Sequence, residues 1–235
     1  MTAIRAVVFD WGGTLSTFAD VDLQDMWTLA ARHFDPSREA EIRQRLHAAE
    51  TETFARSLTD QRSATLRQIL EQASRDLGLD VTEAVLEEAG THYLDSWTPH
   101  IVHEPDAVST LRELRRRGIR TGLLSNTHWP RAFHERFLER DGLAGLLDVR
   151  LYTSELSHMK PHPSVFVAAL DALGIDDPAT AVFVGDRLHD DVFGGRQAGF
   201  KTVWRRNDFV PRFDVEPDAT IDTLSELPQL LDRWG

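Results

Sequence analysis

The residues of this chain best suited to chemistry stand at the ends of short apolar runs. Asp10 closes the run Ala6–Phe9, and Gly12 and Gly13 follow it. A four-residue apolar run is typical of a fully buried parallel strand, and open parallel sheets bind ligands at the carboxyl ends of their strands. We therefore predict that Asp10 lies at a ligand-binding edge, where glycine lets the backbone turn sharply and approach the ligand.

Three later stretches carry polar groups that we expect at the same edge, because each ends or follows a predicted strand. They supply, in chain order, Ser125 and Asn126, then Lys160, then Asp186, Asp190 and Asp191. A carboxylate can attack phosphorus and so divide one difficult displacement into two easier steps. This attack brings two anions together, so it requires positive charge from a lysine or a metal ion.

In this order, the four stretches resemble the motifs of the haloacid dehalogenase-like hydrolase superfamily, from Ile4 to about Trp204. The resemblance implies that Asp10 is the nucleophile, that Thr14 orients it and that Lys160 neutralises charge between nucleophile and substrate. It also implies a small phosphorylated substrate whose transferring oxygens are cradled by the enzyme, an effect that supplies large rate factors. The residues assigned to substrate binding are Trp11, Gly13, Ser125 and Asn126.

The carboxylates predict a magnesium site. Asp10 and Asp186 offer the oxygen ligands that Mg²⁺ prefers. The resemblance adds the main-chain carbonyl of Gly12, and it assigns Asp191 to hydrogen-bonding Lys160 or a metal-bound water. The expected cofactor is therefore Mg²⁺, with Asp10, Gly12, Asp186 and Asp191 as its site.

Two assignments have alternatives at this stage. Asp190 is the alternative to Asp191 as the acidic residue that contacts Lys160 or the metal-bound water. Trp11 and Trp129 flank the first and second motifs, and they either form an apolar wall for the substrate or pack in the core.

The first motif departs from the family pattern at Gly12. Most phosphatases of the superfamily have an aspartate at this position, which protonates the leaving group and later activates water. General acid–base help of this kind is worth about 10²–10⁴-fold in rate. Its absence predicts a phosphatase that acts on a good leaving group or uses a substitute such as His128 or His189.

Two other functions stay open. The 2-haloacid dehalogenases of the superfamily work without a metal and bind halide through a cap arginine, for which the candidates are Arg32, Arg43 and Arg56. A catalytically weak protein that binds a phosphorylated metabolite is the second alternative. Phosphonoacetaldehyde hydrolases have a similar first motif, but they need a cap lysine, and residues 17–100 contain none.

The composition limits the classes of partner that the protein is expected to bind. The formal charge of −12 over 235 residues predicts no nucleic-acid or anionic-membrane partner, since both require clustered Lys and Arg. The chain has no cysteine, which excludes disulfides and a thiolate nucleophile. It shows neither a leader nor an apolar run of about 20 residues, so we expect a cytoplasmic protein, either a monomer or a homodimer.

The apolar pattern predicts an α/β fold in two parts. From Glu104 onward helices and strands alternate, which implies a doubly wound, Rossmann-like parallel sheet. Before it, apolar residues recur at helical spacing in four stretches, which predicts an inserted all-α helical-bundle cap. The predicted domains are a core of residues 1–16 and 101–235 and a cap of residues 17–100, with hinges near 15–19 and 98–104.

The predicted core elements follow the first strand in a regular series. They are helix 104–117, strand 119–124, helix 130–140, strand 148–153, helix 163–173, strand 181–185, helix 189–198 and strand 201–204. The tail after Asn207 is predicted to be irregular, then to form a short strand near Thr220 and a final helix to about Arg233.

Overall fold

Six parallel strands form the centre of the molecule. The computed structural model describes residues 3–234, so Met1, Thr2 and Gly235 of the predicted core domain lie outside the described residues. The strands are β1 (Ala6–Phe9), β2 (Arg120–Ser125), β3 (Val149–Tyr152), β4 (Ala181–Gly185), β5 (Lys201–Arg205) and β6 (Ala219–Ile221). Their spatial order is β3-β2-β1-β4-β5-β6, and every neighbouring pair is parallel. This order is that of a doubly wound sheet and confirms the predicted fold class.

Helices cover both faces of the sheet and fill the long connection between β1 and β2. They are α1 (Leu23–Met26), α2 (Thr28–Phe34), α3 (Glu39–Asp60), α4 (Leu66–Asp76), α5 (Glu83–Trp97), α6 (Ala107–Arg116), α7 (Arg131–Arg140), α8 (Pro163–Leu173), α9 (Gly194–Gln197) and α10 (Leu227–Trp234). None of the helices within residues 3–234 combines the length and the hydrophobicity needed to cross a bilayer.

The side chains of β1 alternate between two buried layers. Val7 and Phe9 join a cluster that includes residues of α6, α7 and α10, whereas Ala6 and Val8 join one that includes residues of α8. All four side chains are fully buried. Burial on both faces explains why the strand reads as a continuous apolar run and why Asp10 leaves the sheet at its carboxyl end.

Helices α1 to α5 pack on one another, as expected for a helical bundle. Their apolar core is continuous with the cluster of apolar residues on one face of the sheet. The ring of Trp27 stacks on that of Tyr93, with centroids 3.8 Å apart. Trp27 also divides the first predicted helix into α1 and α2, so five helices stand where four apolar stretches were predicted. The main-chain N–H of Trp27 donates to the carbonyl of Gln24, three residues back. This bond is typical of a 3₁₀ turn, and α1 ends there.

The two connections between sheet and bundle run side by side. The main-chain N–H of Thr17 donates to the carbonyl of Val102 at 2.9 Å, and that of Glu104 donates to Leu15 at 2.9 Å. Both predicted hinge segments, 15–19 and 98–104, therefore lie against each other at the point where the bundle leaves the sheet.

One core helix differs from its prediction. The predicted helix 189–198 is a π-helical turn at Leu188–Phe193 that leads into the short α9. The side chain of Asp191 accepts a hydrogen bond from the main-chain N–H of Arg187 at 2.9 Å, and the N–H of Asp191 donates to the Arg187 carbonyl. The N–H of Val192 donates to the same carbonyl at 3.3 Å, which is the five-residue bond of a π-helical turn, and such turns are frequent at functional sites.

Candidate active site

The carboxyl edge of the sheet brings together three buried aspartates. Asp10 follows β1, Asp186 follows β4 and Asp191 lies in the π-helical turn. One ligand atom of each lies within 4.8 Å of the others, and the residues are 6%, 1% and 0% exposed. The paired strands β1 and β4 run in register, which is why residues so far apart in sequence meet here.

Lys160 lies between two of these aspartates. Its Nζ donates to Asp10 Oδ1 at 2.6 Å and to Asp191 Oδ1 at 2.7 Å, and the residue is 2% exposed. Burial disfavours the charged ammonium, but the negative charges of Asp10 and Asp191 outweigh this cost and raise the pKa of Lys160 above its ordinary value. Lys160 is thus held in its charged form.

Asn126 holds the backbone of Lys160. Its Nδ2 donates to the Lys160 carbonyl at 3.0 Å, and its Oδ1 accepts from the Lys160 N–H at 2.8 Å. Ser125, the last residue of β2, is 3% exposed and lies beside Asn126 at the same sheet edge. Asn126 therefore positions the lysine through its side chain, a contact that its predicted role in substrate binding did not include.

Only one of the two carboxylate oxygens of Asp186 accepts a hydrogen bond among the described residues. Its Oδ2 accepts from Asn207 Nδ2 at 2.7 Å, and its main-chain carbonyl accepts from Trp204 Nε1 at 2.8 Å. Its Oδ1 is buried and has no hydrogen-bond partner among the described residues. A buried carboxylate oxygen without a partner is costly, so this atom calls for a proton or a cation.

Burial and mutual repulsion disfavour charge on two of the aspartates. Burial, reinforced by the charge of Asp10, raises the pKa of Asp186 to about 7. Burial also raises the pKa of Asp191 to about 8, with the charge of Lys160 opposing the shift and those of Asp10 and Asp186 adding to it. A bound cation would offset both effects.

The donor set fits a hard divalent cation. Asp10 and Asp186 offer carboxylate oxygens, and the unpartnered Oδ1 of Asp186 is available as a ligand. Both oxygens of Asp191 already accept hydrogen bonds, from Lys160 Nζ and from the Arg187 N–H. These bonds favour the role of Asp191 in holding Lys160 over direct coordination.

The two glycines of the first motif differ in their surroundings. Gly13 has φ +76°, and a Cβ there would overlap the Asp186 carboxylate and approach Asn207 Nδ2 to 3.0 Å. Gly12 is exposed, has no positive φ, and a Cβ there would meet nothing within 4 Å. The close approach expected of the pair therefore belongs to Gly13, and Gly12 is free to carry a side chain.

Thr14 follows Asp10 by four residues but does not hydrogen-bond it within the described part of the chain. The residue is fully buried, and its Oγ1 has no partner among residues 3–234. The predicted orienting contact with Asp10 is absent from the described hydrogen bonds, so this role stays a prediction.

Trp11 faces away from solvent into an aromatic cluster. Its Nε1 donates to His103 Nε2 at 3.1 Å, and its ring meets those of His134 and Trp129 at centroid distances of 4.5 and 6.1 Å. Trp11 is 5% exposed and Trp129 is 9% exposed. Of the two readings left open by the sequence, this packing favours core residues, and contact of Trp11 with substrate stays a prediction.

His103 anchors this tryptophan and was not found from the sequence. Because Nε2 accepts from Trp11, the ring proton lies on Nδ1, which donates to Asp141 Oδ2 at 2.6 Å. Burial lowers the pKa of His103 despite the neighbouring carboxylate, which keeps the ring neutral. The chain Asp141–His103–Trp11 thus ties the first motif to the connection at residues 98–104.

The candidate substitute acids and bases lie in different environments. His128 is 8% exposed, and its Nε2 lies 3.3 Å from Tyr93 Oη and 3.4 Å from Glu50 Oε1. Burial lowers its pKa. His189 bonds through Nδ1 to Asp190 Oδ1 at 2.8 Å, which raises its pKa. Neither histidine hydrogen-bonds Asp10 within the described part of the chain.

Comparison with known proteins agrees with this geometry. The family model for haloacid dehalogenase-like hydrolases matches residues 4–199. Over 129 residues the chain is 33% identical to the glyceraldehyde 3-phosphate phosphatase of Pyrococcus furiosus, covering 54% of this chain and 52% of that protein. It thus matches about half the length of this relative. Over 242 residues it is 28% identical to the N-acylneuraminate-9-phosphatase of Rattus norvegicus, covering 98% of this chain and 95% of that protein.

Among solved structures, the fold is similar to a 2-haloacid dehalogenase from Pseudomonas syringae pv. Tomato DC3000. The TM-score is 0.75 at 26% identity, and the match covers 99% of this chain and 100% of that one. The proteins similar to this chain therefore include ones named as phosphatases and ones named as dehalogenases. The matched family model spans most of the chain, and the chain belongs to the haloacid dehalogenase-like hydrolase family.

Proposed function

We propose that the chain is a Mg²⁺-dependent phosphatase that acts on a small phosphorylated metabolite through a phosphoryl group carried on Asp10. The observation that carries the proposal is a cluster of three buried carboxylates, of which Asp10 and Asp191 contact the buried ammonium of Lys160, whereas Asp186 makes no described contact with it. Positive charge near these carboxylates comes from Lys160 and Arg187, yet the buried Oδ1 of Asp186 still has no partner among residues 3–234, so the arrangement favours a divalent cation. A metal site in turn favours phosphate chemistry over metal-free dehalogenation.

The proposed reaction has two displacements at phosphorus. An oxygen of Asp10 forms a bond to phosphorus as the ester oxygen leaves and takes up a proton from solvent to become the alcohol. Water then attacks the same phosphorus and gives up a proton to solvent, the bond to Asp10 breaks, and inorganic phosphate leaves with Asp10 regenerated. Lys160, fixed by Asn126 and Asp191, stays charged beside Asp10 and stabilises the negative charge on the transferring group.

Asp10, Asp186 and the main-chain carbonyl of Gly12 are the residues we propose to hold Mg²⁺, with Asp191 behind Lys160. When bound, Mg²⁺ supplies positive charge for the phosphate oxygens and relieves repulsion among the carboxylates. Ser125 and the main-chain N–H of Asn126 would bind the remaining phosphoryl oxygens, since both lie at the same sheet edge.

The leaving group has no aspartate to protonate it at position 12. The open surroundings of Gly12 mean that water or a group of the substrate can reach this side of the site. We therefore propose that the enzyme prefers leaving groups that depart without strong acid assistance.

We further propose that residues 17–100 form a cap that moves over the sheet edge and selects substrates. The proposal is supported by the side-by-side connections at 15–19 and 98–104 and by the packing of α1 to α5 on one another. Hinges are short segments of this kind, where a few residues absorb the change in backbone angles.

A second candidate function is 2-haloacid dehalogenation, favoured by the likeness to the Pseudomonas syringae structure. Of the three candidate halide arginines, Arg32 pairs with Glu39 and Arg43 pairs with Asp25. Arg56 instead donates to Thr53 Oγ1 at 3.1 Å, which makes it the best of the three.

A substrate panel tests both functions. Phosphate release from phosphorylated sugars, nucleotides and acids, and halide release from 2-chloropropionate, would each be measured in Mg²⁺ and in EDTA. The proposal predicts phosphate release that requires Mg²⁺ and no halide release. Halide release in EDTA would establish the dehalogenase, and binding of phosphorylated compounds without turnover would establish the weak binding protein.

A further inference from the structure

Asn207 lies outside the four motifs and contacts the proposed metal site. It follows β5 and is 7% exposed. Its Oδ1 accepts from the main-chain N–H of Phe209 at 3.0 Å, and its Nδ2 donates to Asp186 Oδ2 at 2.7 Å. A main-chain N–H can only donate, so the Phe209 contact fixes which end of the amide faces Asp186.

This contact divides the two oxygens of the Asp186 carboxylate. Oδ2 is engaged by Asn207, whereas Oδ1 is buried without a hydrogen-bond partner among the described residues. The carboxylate packs closely against Gly13, where an added Cβ would overlap it, and Trp204 holds the Asp186 main-chain carbonyl. Asn207 therefore occupies Oδ2 of Asp186, and Oδ1 is left to bind a cation.

We propose that Asn207 is a positioning residue that keeps Asp186 a one-oxygen ligand and thereby makes the site selective for Mg²⁺ over Ca²⁺. The inference rests on the proposed function, since it concerns the same cation site. Mg²⁺ takes six ligands in a strict octahedron, whereas Ca²⁺ takes six to eight and readily accepts both oxygens of a carboxylate. Because Asn207 occupies Oδ2, Ca²⁺ cannot form a second bond to Asp186. Binding of Mg²⁺ is not weakened, since Mg²⁺ needs only one oxygen of this carboxylate.

Two substitutions separate the parts of this contact. Asn207→Ala removes both hydrogen bonds. Asn207→Asp keeps an acceptor for the Phe209 N–H but, when ionised, has no proton to donate to Asp186. Phe209→Ala is the matched control, because Phe209 lies in the same loop, the residue is 72% exposed and its main-chain N–H is retained.

Isothermal titration calorimetry of the EDTA-treated, dialysed full chain with MgCl₂ and with CaCl₂ gives the two dissociation constants. Loss of a residue that orients a metal ligand typically weakens metal binding about 10–100-fold. We therefore expect Asn207→Ala to weaken Mg²⁺ binding by this factor. In both Asn207 variants the ratio of the Ca²⁺ to the Mg²⁺ dissociation constant should fall at least about tenfold. Phe209→Ala should keep the wild-type ratio.

A purely structural Asn207 would give a different result. Its loss would lower the melting temperature in EDTA but leave the ratio of the two constants unchanged, and this outcome would overturn the inference while the metal site stands. If the wild-type chain bound neither ion, or if Asp186→Asn bound Mg²⁺ as tightly as wild type, the proposed metal site would itself be wrong.

Discussion

The ammonium of Lys160 touches the carboxylates of Asp10 and Asp191, and the third carboxylate, Asp186, has a free buried oxygen. Groups of this kind are costly to bury unless each charge finds a partner. A protein that keeps such a site gives up stability for reactivity, because an attacking carboxylate must be poorly solvated and close to positive charge.

Asp10→Asn tests the nucleophile. The amide keeps the size of the side chain but cannot form the phosphoryl intermediate, so kcat should fall by at least about 10³-fold, in the range seen when enzyme nucleophiles are removed. Circular dichroism and the melting temperature in EDTA should be those of a folded protein. Retention of more than a small fraction of the wild-type kcat would remove Asp10 from this role.

Gly12→Asp tests the missing acid. Its side chain meets open space and its backbone needs no positive φ, so the variant should fold normally. An acid at this position should raise kcat/KM on alkyl phosphates by up to about 10²-fold, with little change on p-nitrophenyl phosphate, whose leaving group needs no proton. A folded variant without any gain on alkyl phosphates would show that acid assistance does not limit the rate.

The matched pair Gly12→Ala and Gly13→Ala provides the control. Gly12→Ala should leave stability and Mg²⁺ binding nearly unchanged, since the added methyl meets no atom. Gly13→Ala should lower the melting temperature and weaken Mg²⁺ binding, because the methyl overlaps the Asp186 carboxylate and φ is +76°. Equal effects of the two substitutions in thermal melts would contradict the geometry of this turn.

At the scale of elements, α7 and the loop before it carry a buried histidine that makes stability depend on pH. His134 is 1% exposed, and its Nε2 lies 3.0 Å from Thr127 Oγ1. Its ring stacks on Tyr152 with centroids 4.7 Å apart. Burial, with the positive potential of nearby residues, lowers the pKa of His134 to about 3.

His134→Phe should remove an acid-dependent loss of stability. The pKa of histidine is about 6.5 in the unfolded chain and about 3 in the folded one. Between these pH values the unfolded state binds a proton that the folded state does not, so acidification favours unfolding. The free energy of unfolding of wild type relative to the variant should fall by about 1.4 kcal/mol per pH unit across this window and stay constant above it. Urea titrations in EDTA at several pH values measure this difference, and parallel curves would contradict the burial assignment.

The strands were predictable because a strand that is buried on both faces requires a continuous run of apolar residues. β1 and β4 were predicted at their observed bounds, and β2 within a residue of its bounds. The division of α1 from α2 was not predictable, because the periodicity continues through Trp27 and only its contacts with Tyr93 and Glu50 distinguish it. The π-helical turn at 188–193 was missed for a similar reason, since its five-residue bond, from the Val192 N–H to the Arg187 carbonyl, and the contact of the Asp191 side chain with the Arg187 N–H leave no pattern in the sequence.

The site was predictable to the extent that its residues end strands. Asp10, Lys160, Asp186 and Asp191 were all named from the sequence, and the structure brings them together. Asn207 and His103 were missed, because each acts through a contact with a residue distant in the chain. Asn207 does follow β5 at the same sheet edge, and that position was the one available signal.

At the scale of the whole molecule, Mg²⁺ should stabilise the fold. A ligand at about a hundred times its Kd contributes about 2.7 kcal/mol, which for a chain of this size raises Tm by about 5–10 °C. Asp186→Asn should abolish the shift, and its Tm in EDTA should equal or exceed that of wild type because one buried charge is removed. Differential scanning calorimetry measures both values, and an undiminished shift in the variant would place the cation elsewhere.

The central claim is that Asp10 carries a phosphoryl group during turnover, and acid-quenched protein analysed by peptide mass spectrometry tests it directly. In the presence of Mg²⁺ and a phosphorylated substrate, the account predicts a phosphoryl adduct on the peptide that contains Asp10, lost in Asp10→Asn. A 2-haloacid dehalogenase would instead carry an alkanoate ester on the same residue after incubation with 2-chloropropionate in EDTA. Detection of that ester, with no phosphoryl adduct from any hydrolysed phosphate ester, would contradict the account.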